Sequence, residues 1–283
     1  MPALPQNVRG AAPPKTSQGD MTMGRVLAIA NQKGGVGKTT TAINLSASLA
    51  ADESKTLLID MDPQGNAGSG LGIIGRDLEH TVYDMLLEGT APKTILQRTE
   101  LKFLEVLPSS PDLAGAEVEL VSVKRREFRL ADAIAQLKNK YEHIIIDCPP
   151  ALGLLTINAL VAADAVIVPL QSEYFALEGI SELMNTIELI RGSLNPKLSL
   201  EGILLTMFDG RISLANQVAD EAREHFGEYV FQTRIPRNVR LSECPSFGKP
   251  IVLYDIRSKG CEGYLSLARE LRQRELSRTE SGS

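Results

Sequence analysis

Three short stretches of this chain combine residue types that act on phosphate. The first, Gly34-Gly35-Val36-Gly37-Lys38-Thr39-Thr40, lies between an apolar run and a helical pattern. Glycines let the backbone come close to an anion, and the N–H groups of such a loop and of the helix start then point at it. In that order of parts, Lys38 lies along the β- and γ-phosphate oxygens of a nucleoside triphosphate, and the Thr39 hydroxyl ligates Mg²⁺. The second stretch, Asp60-Met61-Asp62-Pro63-Gln64-Gly65, ends an apolar run with two carboxylates one residue apart and then turns at once. Asp62, in the turn, is placed to orient an attacking water and to meet the metal shell, which phosphoryl transfer needs more than a strong base. The third, Ile144-Ile145-Ile146-Asp147-Cys148-Pro149-Pro150, delivers one acid at the end of a β-branched run. Asp147 there holds Mg²⁺ directly or through water.

The elements that must position these groups are legible as a rhythm. The runs Val26–Ala30, Thr56–Asp60, His143–Asp147, Ala165–Val168 and Gly202–Thr206 are continuously apolar rather than alternating, as in strands buried on both faces. Helical patterns over Thr39–Ala51, Glu127–Lys140, Ser181–Arg191 and Leu214–His225 separate them. Such alternation predicts an α/β fold: a doubly wound, mostly parallel sheet with helices on both faces. Sheets of this kind take ligands beyond the carboxyl ends of their strands, which is where all three stretches fall.

Bulk composition narrows the function further. The chain has 283 residues, 43% hydrophobic and 23% charged, enough for one large core. We read residues 1–23 as a disordered leader, 24–275 as a single domain and 276–283 as a disordered tail. No apolar run approaches the ~20 residues of a membrane span, and there is no signal-peptide pattern, so the expectation is cytoplasmic with no membrane partner. Cys148, Cys244 and Cys261 lack any C-x-x-C spacing and read as reduced structural thiols. The formal charge of -5 is unevenly spread: between Arg234 and Gly260 six basic residues face two acidic ones, a local +4 that leaves -9 elsewhere. A positive field on an acidic protein attracts polyanions in one orientation.

The P-loop pattern asks for a glycine where this chain has Gln32, and it supplies a lysine, Lys33, that the pattern does not require. Lys33-Gly-Gly-Val-Gly-Lys38-Thr-Thr therefore resembles the deviant Walker-A signature shared by ParA ATPases, the division-site protein MinD and the nitrogenase iron protein. The stretch from Ile235 to Ile251, and on through Tyr254 to Gly260, is similar to the ParA family in particular, and the likeness covers most of residues 25–272. Cys244 departs from it where many relatives carry alanine, a small change in size.

The resemblance implies a P-loop ATPase that uses ATP and Mg²⁺, turns over slowly unless stimulated, and segregates chromosomes or plasmids. It implies that Lys33 crosses a homodimer interface to the partner's phosphates, with Lys33, Lys38 and Asp62 as the catalytic set. Asp60 to Ala67 resembles switch I, and the Pro149-Pro150 loop resembles switch II. Thr39, Asp62 and Asp147 form the implied metal set; Met207, Pro236 and Arg237 are implied at the base. Arg211 and Arg240 match positions that bind DNA backbone in relatives, and Lys249, Arg257 and Lys259 extend that face. Non-specific double-stranded DNA, a ParB-like centromere-binding protein and nucleoid association complete the expectation. The alternative is a MinD-like switch on a membrane or protein cargo, for which residues 269–283 offer only Leu271 and Leu276 as apolar contacts.

Overall fold

The computed structural model describes residues 24–172 and 176–281; the expected leader lies outside them. The first half runs β1 (Arg25–Ile29), α1 (Lys38–Ala51), β2 (Thr56–Asp60), α2 (Asn66–Ser69), α3 (Val82–Leu87) and α4 (Pro92–Ile95). It continues through β3 (Gln97–Arg98), β4 (Leu104–Leu107), α5 (Leu113–Glu119), α6 (Arg129–Ile134) and β5 (His143–Asp147). The second half holds α7 (Leu154–Ala162), β6 (Ala165–Gln171), α8 (Ala176–Ser193), β7 (Ser199–Thr206) and α9 (Ser213–Phe226). Three helices close it: α10 (Val239–Glu243), α11 (Ile251–Tyr254) and α12 (Lys259–Ser281).

The strands form one sheet in the order β3-β4-β2-β5-β1-β6-β7. Only β3 runs antiparallel, against β4; every other pairing is parallel. The five predicted strands are all present, and the three central ones, β2, β5 and β1, end together. Ile29 and Asp60 both stand level with Asp147, so the acids of the second and third stretches meet at one edge.

Alternate residues of the central strands face opposite sides, and both sides are apolar. Val26, Ala28, Ile144 and Ile146 pack with Met85, Leu113, Leu130 and Leu155 from α3, α5, α6 and α7. Leu27, Ile29 and Ile145 pack with Leu45 and Leu49 of α1 and with Tyr264, Leu267 and Leu271 of α12. Strands covered on both faces have no polar side to show, which is why they read as continuous runs.

Three expectations change. The predicted helix over Glu127–Lys140 is regular only through α6, because the chain then tightens into turns from Ala135 to Lys140. The short strands β3 and β4 were not anticipated: β4 carries Glu105 in its middle, whose carboxylate accepts from the Tyr141 hydroxyl at 2.6 Å. The last helix continues to Ser281, past the boundary expected at 275. Its charges are not a solvated run. Arg278 donates to the fully buried Glu201 at 2.6 Å, Arg25 pairs with the same carboxylate, and Glu275 takes bonds from Arg25 (2.9 Å) and His143 (3.1 Å). Glu270 accepts from the amides of Gln232 and Thr233, each at 2.8 Å. Charged side chains of α12 thus close the amino edge of the sheet, opposite the edge where the acids meet. Among the described residues no helix is long and apolar enough to cross a membrane.

Candidate functional site

The loop after β1 is held from three sides. Asn31, almost fully buried, donates to the Pro169 carbonyl of β6 at 2.7 Å and accepts from the Lys33 amide at 2.9 Å. Thr206, the last residue of β7, donates to the Val36 carbonyl at 2.8 Å. Gly35 and Gly37 sit at φ of 74° and 86°, a region that favours glycine. Gly37 is also the N-cap of α1, and no side chain caps that helix; its first N–H groups are left for an anion. A Cβ added at Gly34 or Gly35 would meet nothing within 4 Å, so open space lies over the loop backbone where a phosphate chain fits.

Lys38 is buried and points back across this space, donating from Nζ to the Lys33 carbonyl at 3.1 Å. Burial lowers its pKa, against the opposing pull of Asp147, Cys148 and Asp62. A desolvated ammonium facing the carboxyl groups of Asp147 and Asp62 is held ready for anionic oxygen.

Asp147 ends β5 with no exposure at all, and among the described residues neither carboxylate oxygen has a hydrogen-bond partner. Burial raises its pKa well above the ordinary carboxylate range, and the charges of Asp60 and Asp62 add to this. The Thr39 side chain faces it closely enough to ease its charge without completing a hydrogen bond, and Lys38 also lowers it. A buried carboxylate with both oxygens orphaned is costly unless something is meant to bind there. A divalent cation held between Asp147 and the Thr39 hydroxyl, and completed by phosphate oxygens and water, suits that donor set, since Mg²⁺ is usually held by one or two carboxylates and not by an all-protein cage.

Asp60 is equally buried but fully engaged. One oxygen accepts from the Asp62 amide at 3.1 Å, the other from the Ala67 and Gly68 amides at 2.9 and 3.0 Å. Burial pushes its pKa up to about 7, although these amides and neighbouring charge pull in both directions. Its task is to hold both ends of the loop that carries Asp62. Asp62 itself is 9% exposed, accepts from the Gln64 amide at 3.0 Å and faces the phosphate space beside Asp147 and Lys38.

Of the expected site residues, those from Lys33 to Thr40, with Asp62 and Asp147, converge on this edge. Met207, Pro236 and Arg237 also come together at one place. The Phe208 amide donates to the Ile235 carbonyl at 2.9 Å, and the Arg237 amide donates to the Phe208 carbonyl at 3.3 Å. Met207 is one of three described non-glycine residues with positive φ, at 49°, a strain that functional loops often carry. The basic residues are less uniform. Arg211, widely exposed, forks onto Asp209 at 2.9 and 2.6 Å and holds that carboxyl down to about 2. Arg240 pairs with Glu243 at 2.9 Å and with Asp255 at 3.5 Å, and Lys249 with Glu100 at 3.5 Å. Arg257 and Lys259 make no ion pair among the described residues. The sequence reading missed Asn31, Thr206 and the anchoring part of Asp60. Only the Asp60-x-Asp62 spacing carried any signal, since an Asn or Thr beside a strand is common in any fold.

The sheet order and its first loop define a P-loop nucleotide-binding fold of the doubly wound type. A family model described as an AAA domain matches residues 24–200. The chromosome partitioning protein ParA of Myxococcus xanthus (strain DK1622) is 62% identical over 258 residues, 91% of each chain. The sporulation initiation inhibitor protein Soj of Bacillus subtilis (strain 168) is 55% identical over 249 residues, 88% of this chain and 98% of that one. Among solved structures, one of cobyrinic acid a,c-diamide synthase from Mycobacterium smegmatis with bound ADP and magnesium superposes with a TM-score of 0.80 at 38% identity, covering 90% of this chain and 96% of that one. This chain belongs to the ParA/Soj family of chromosome-partitioning proteins.

Proposed function

We propose that the chain is a partition ATPase that binds Mg²⁺ and ATP, closes as a dimer around the nucleotide, holds DNA without regard to sequence in that state, and lets go after hydrolysis. The observation that carries this reading is the orphaned, buried carboxylate of Asp147 opposite Thr39, set beside Lys38 and a loop backbone with open space over it. When bound, Mg²⁺ neutralises charge on the β- and γ-phosphate oxygens. Lys38 would turn from the Lys33 carbonyl to the phosphates, Thr39 and Asp147 would hold the metal, and Asp62 would orient the water and contact the metal shell. Met207, Pro236 and Arg237 line the base.

Lys33 supplies a second cation, to the nucleotide of the partner subunit, where it stabilises the pair as an arginine finger would. Arg211, Arg240, Lys249, Arg257 and Lys259 contribute phosphate contacts. For the three that are paired with their own acids, DNA phosphate must compete with exposed ion pairs, which are worth little and are easily exchanged. Doubling such contacts in a rigid dimer raises affinity through effective concentration. A ParB-like partner stimulates a turnover that is slow without it and without DNA, and the protein works on the nucleoid.

The test is binding to double-stranded DNA of arbitrary sequence with ATP, ADP or no nucleotide at two salt concentrations, alongside phosphate release. Tight binding only with ATP, weakening steeply with salt, is the expected result. Equal affinity in all three states would overturn the reading even if ATP were hydrolysed.

A further inference from the structure

The segment Gly248–Ile251 passes between the two parts of the site that meet the nucleotide. On one side Gly248 lies backbone to backbone against Gly72, just beyond α2: a Cβ built on Gly248 would stand 2.8 Å from the Gly72 Cα. That stretch is the continuation of the Asp62 loop, pinned by Asp60 through Ala67 and Gly68. On the other side, the Ile251 amide donates to Oδ1 of Asn44 at 2.7 Å, and Nδ2 of the same side chain donates to the Thr40 carbonyl at 2.8 Å. Asn44 is 2% exposed. Lys249 sits between these two grips.

The two ends of the Asn44 amide are chemically distinct: its oxygen can only accept from Ile251, and its nitrogen can only donate to Thr40. A movement of the first turn of α1 must therefore carry Ile251 with it or break a buried hydrogen bond. Close-packed backbone at Gly72 and Gly248 leaves equally little slack on the other side, because a packed contact without a side chain between the two backbones cannot be taken up by a rotamer change. α1 is tied a second time to the C-terminal region, through the Thr41 and Tyr264 hydroxyls at 3.2 Å.

We propose that Asn44 is a positioning residue which, with the Gly72–Gly248 contact, transmits nucleotide occupancy to the basic segment around Lys249 within one subunit. The proposal rests on the reading that the ATP state binds DNA. It adds that dimerisation alone is insufficient: each subunit must also set its own segment 248–251.

Asn44→Asp keeps an acceptor for Ile251 and turns the other oxygen against the Thr40 carbonyl, whereas Asn44→Ala removes both bonds. For each variant, affinity for a fluorescent ATP analogue, dimerisation with that analogue by sedimentation, and DNA affinity with ATP and with ADP are measured. We expect N44D to bind the analogue within about threefold of the unmodified protein and to dimerise. Its ratio of DNA affinities between ATP and ADP should fall to near one, from a coupling that in general spans about 5- to 150-fold. A dimer of N44D that holds DNA as the unmodified protein does would overturn the relay and leave the partition reading intact. An unmodified protein indifferent to nucleotide would overturn the partition reading itself. Loss of analogue binding by folded N44D would make Asn44 a support of the phosphate loop only and would also overturn the relay. If the variants do not fold, hydrogen exchange on the unmodified protein decides: a non-hydrolysable ATP analogue should slow exchange at residues 248–254 together with 62–72, and no change at 248–254 refutes the proposal.

Discussion

At the scale of single residues, the site depends on buried polar groups whose partners are arranged in advance. Asp60 and Asp147 stand level on neighbouring strands, both fully buried, yet one is satisfied by three amides and the other by none. The first therefore holds a loop, and the second is the one we propose to meet a cation. Asp62→Asn keeps the shape of the turn and removes the charge proposed to orient water. We expect hydrolysis to fall by on the order of 10²–10⁴-fold, with binding of an ATP analogue retained; phosphate release and fluorescence titration check the two halves. Thr206→Val keeps the volume of the side chain but strands the Val36 carbonyl, whose bond from Thr206 fixes the middle of the phosphate loop. Losing a bond to a buried acceptor costs about 1–3 kcal/mol, so weaker ATP binding and a lower melting temperature are expected together, read by titration and by thermal melting.

At the scale of elements, α1 and α12 share one face of the sheet but answer to different edges. α1 begins at the carboxyl edge with an uncapped N-terminus, while α12 spans toward the amino edge and ends in ions. Burial alone would raise the Glu275 carboxyl, but the hydrogen bond and charge of His143 and the charge of Arg25 outweigh it, and its pKa is lowered. Glu270 is lowered likewise, burial being outweighed by the amides of Thr233 and Gln232. A carboxylate with a depressed folded pKa stabilises the fold above its unfolded value, and that contribution is lost as pH falls through the folded one. Thermal melts should thus be flat near neutrality with respect to these groups and decline below the ordinary glutamate range. E270Q and E275Q should lower the melting temperature at neutral pH and reduce the acid decline; an unchanged acid limb would show that these contacts do not hold α12.

For the molecule as a whole, charge separation matters more than net charge. The chain is acidic at -5, yet the segment 234–260 carries a local +4, and at Phe208 and Pro236 that segment pairs with the loop after β7. Phosphate contacts made there should give a DNA affinity that falls linearly on a log–log plot against salt, with a slope near -0.9 for each phosphate neutralised. R257A and K259A, whose side chains have no acid to release among the described residues, should each reduce that slope by about one, whereas R211A should reduce it by less because Asp209 already neutralises it in the unbound protein. Lys33→Ala should leave monomer folding intact and abolish ATP-dependent dimerisation, which analytical sedimentation reads directly.

What the sequence settled by itself was set by short-range rules. Continuous apolar runs named β1, β2, β5, β6 and β7 because two-sided burial removes alternation. Glycine, lysine and threonine in order pointed to a turn open to an anion, which the structure places between β1 and α1, and Asp147 stands at the end of a buried strand as its run predicted. What only the tertiary structure decided depends on residues far apart in the chain. Asn31 ties the loop to Pro169 of β6, and Thr206 of β7 holds it at Val36, at separations no local pattern can signal. The tail expected from residue 276 is instead the end of α12, held by Glu201 and His143 from two separate strands, which meet its Arg278 and Glu275. Asp60 and Asp147 are like acids at the ends of neighbouring strands, and only the count of amides that reach each one separates the satisfied carboxylate from the orphaned one, because hydrogen-bond satisfaction is a property of the folded neighbourhood and not of the segment.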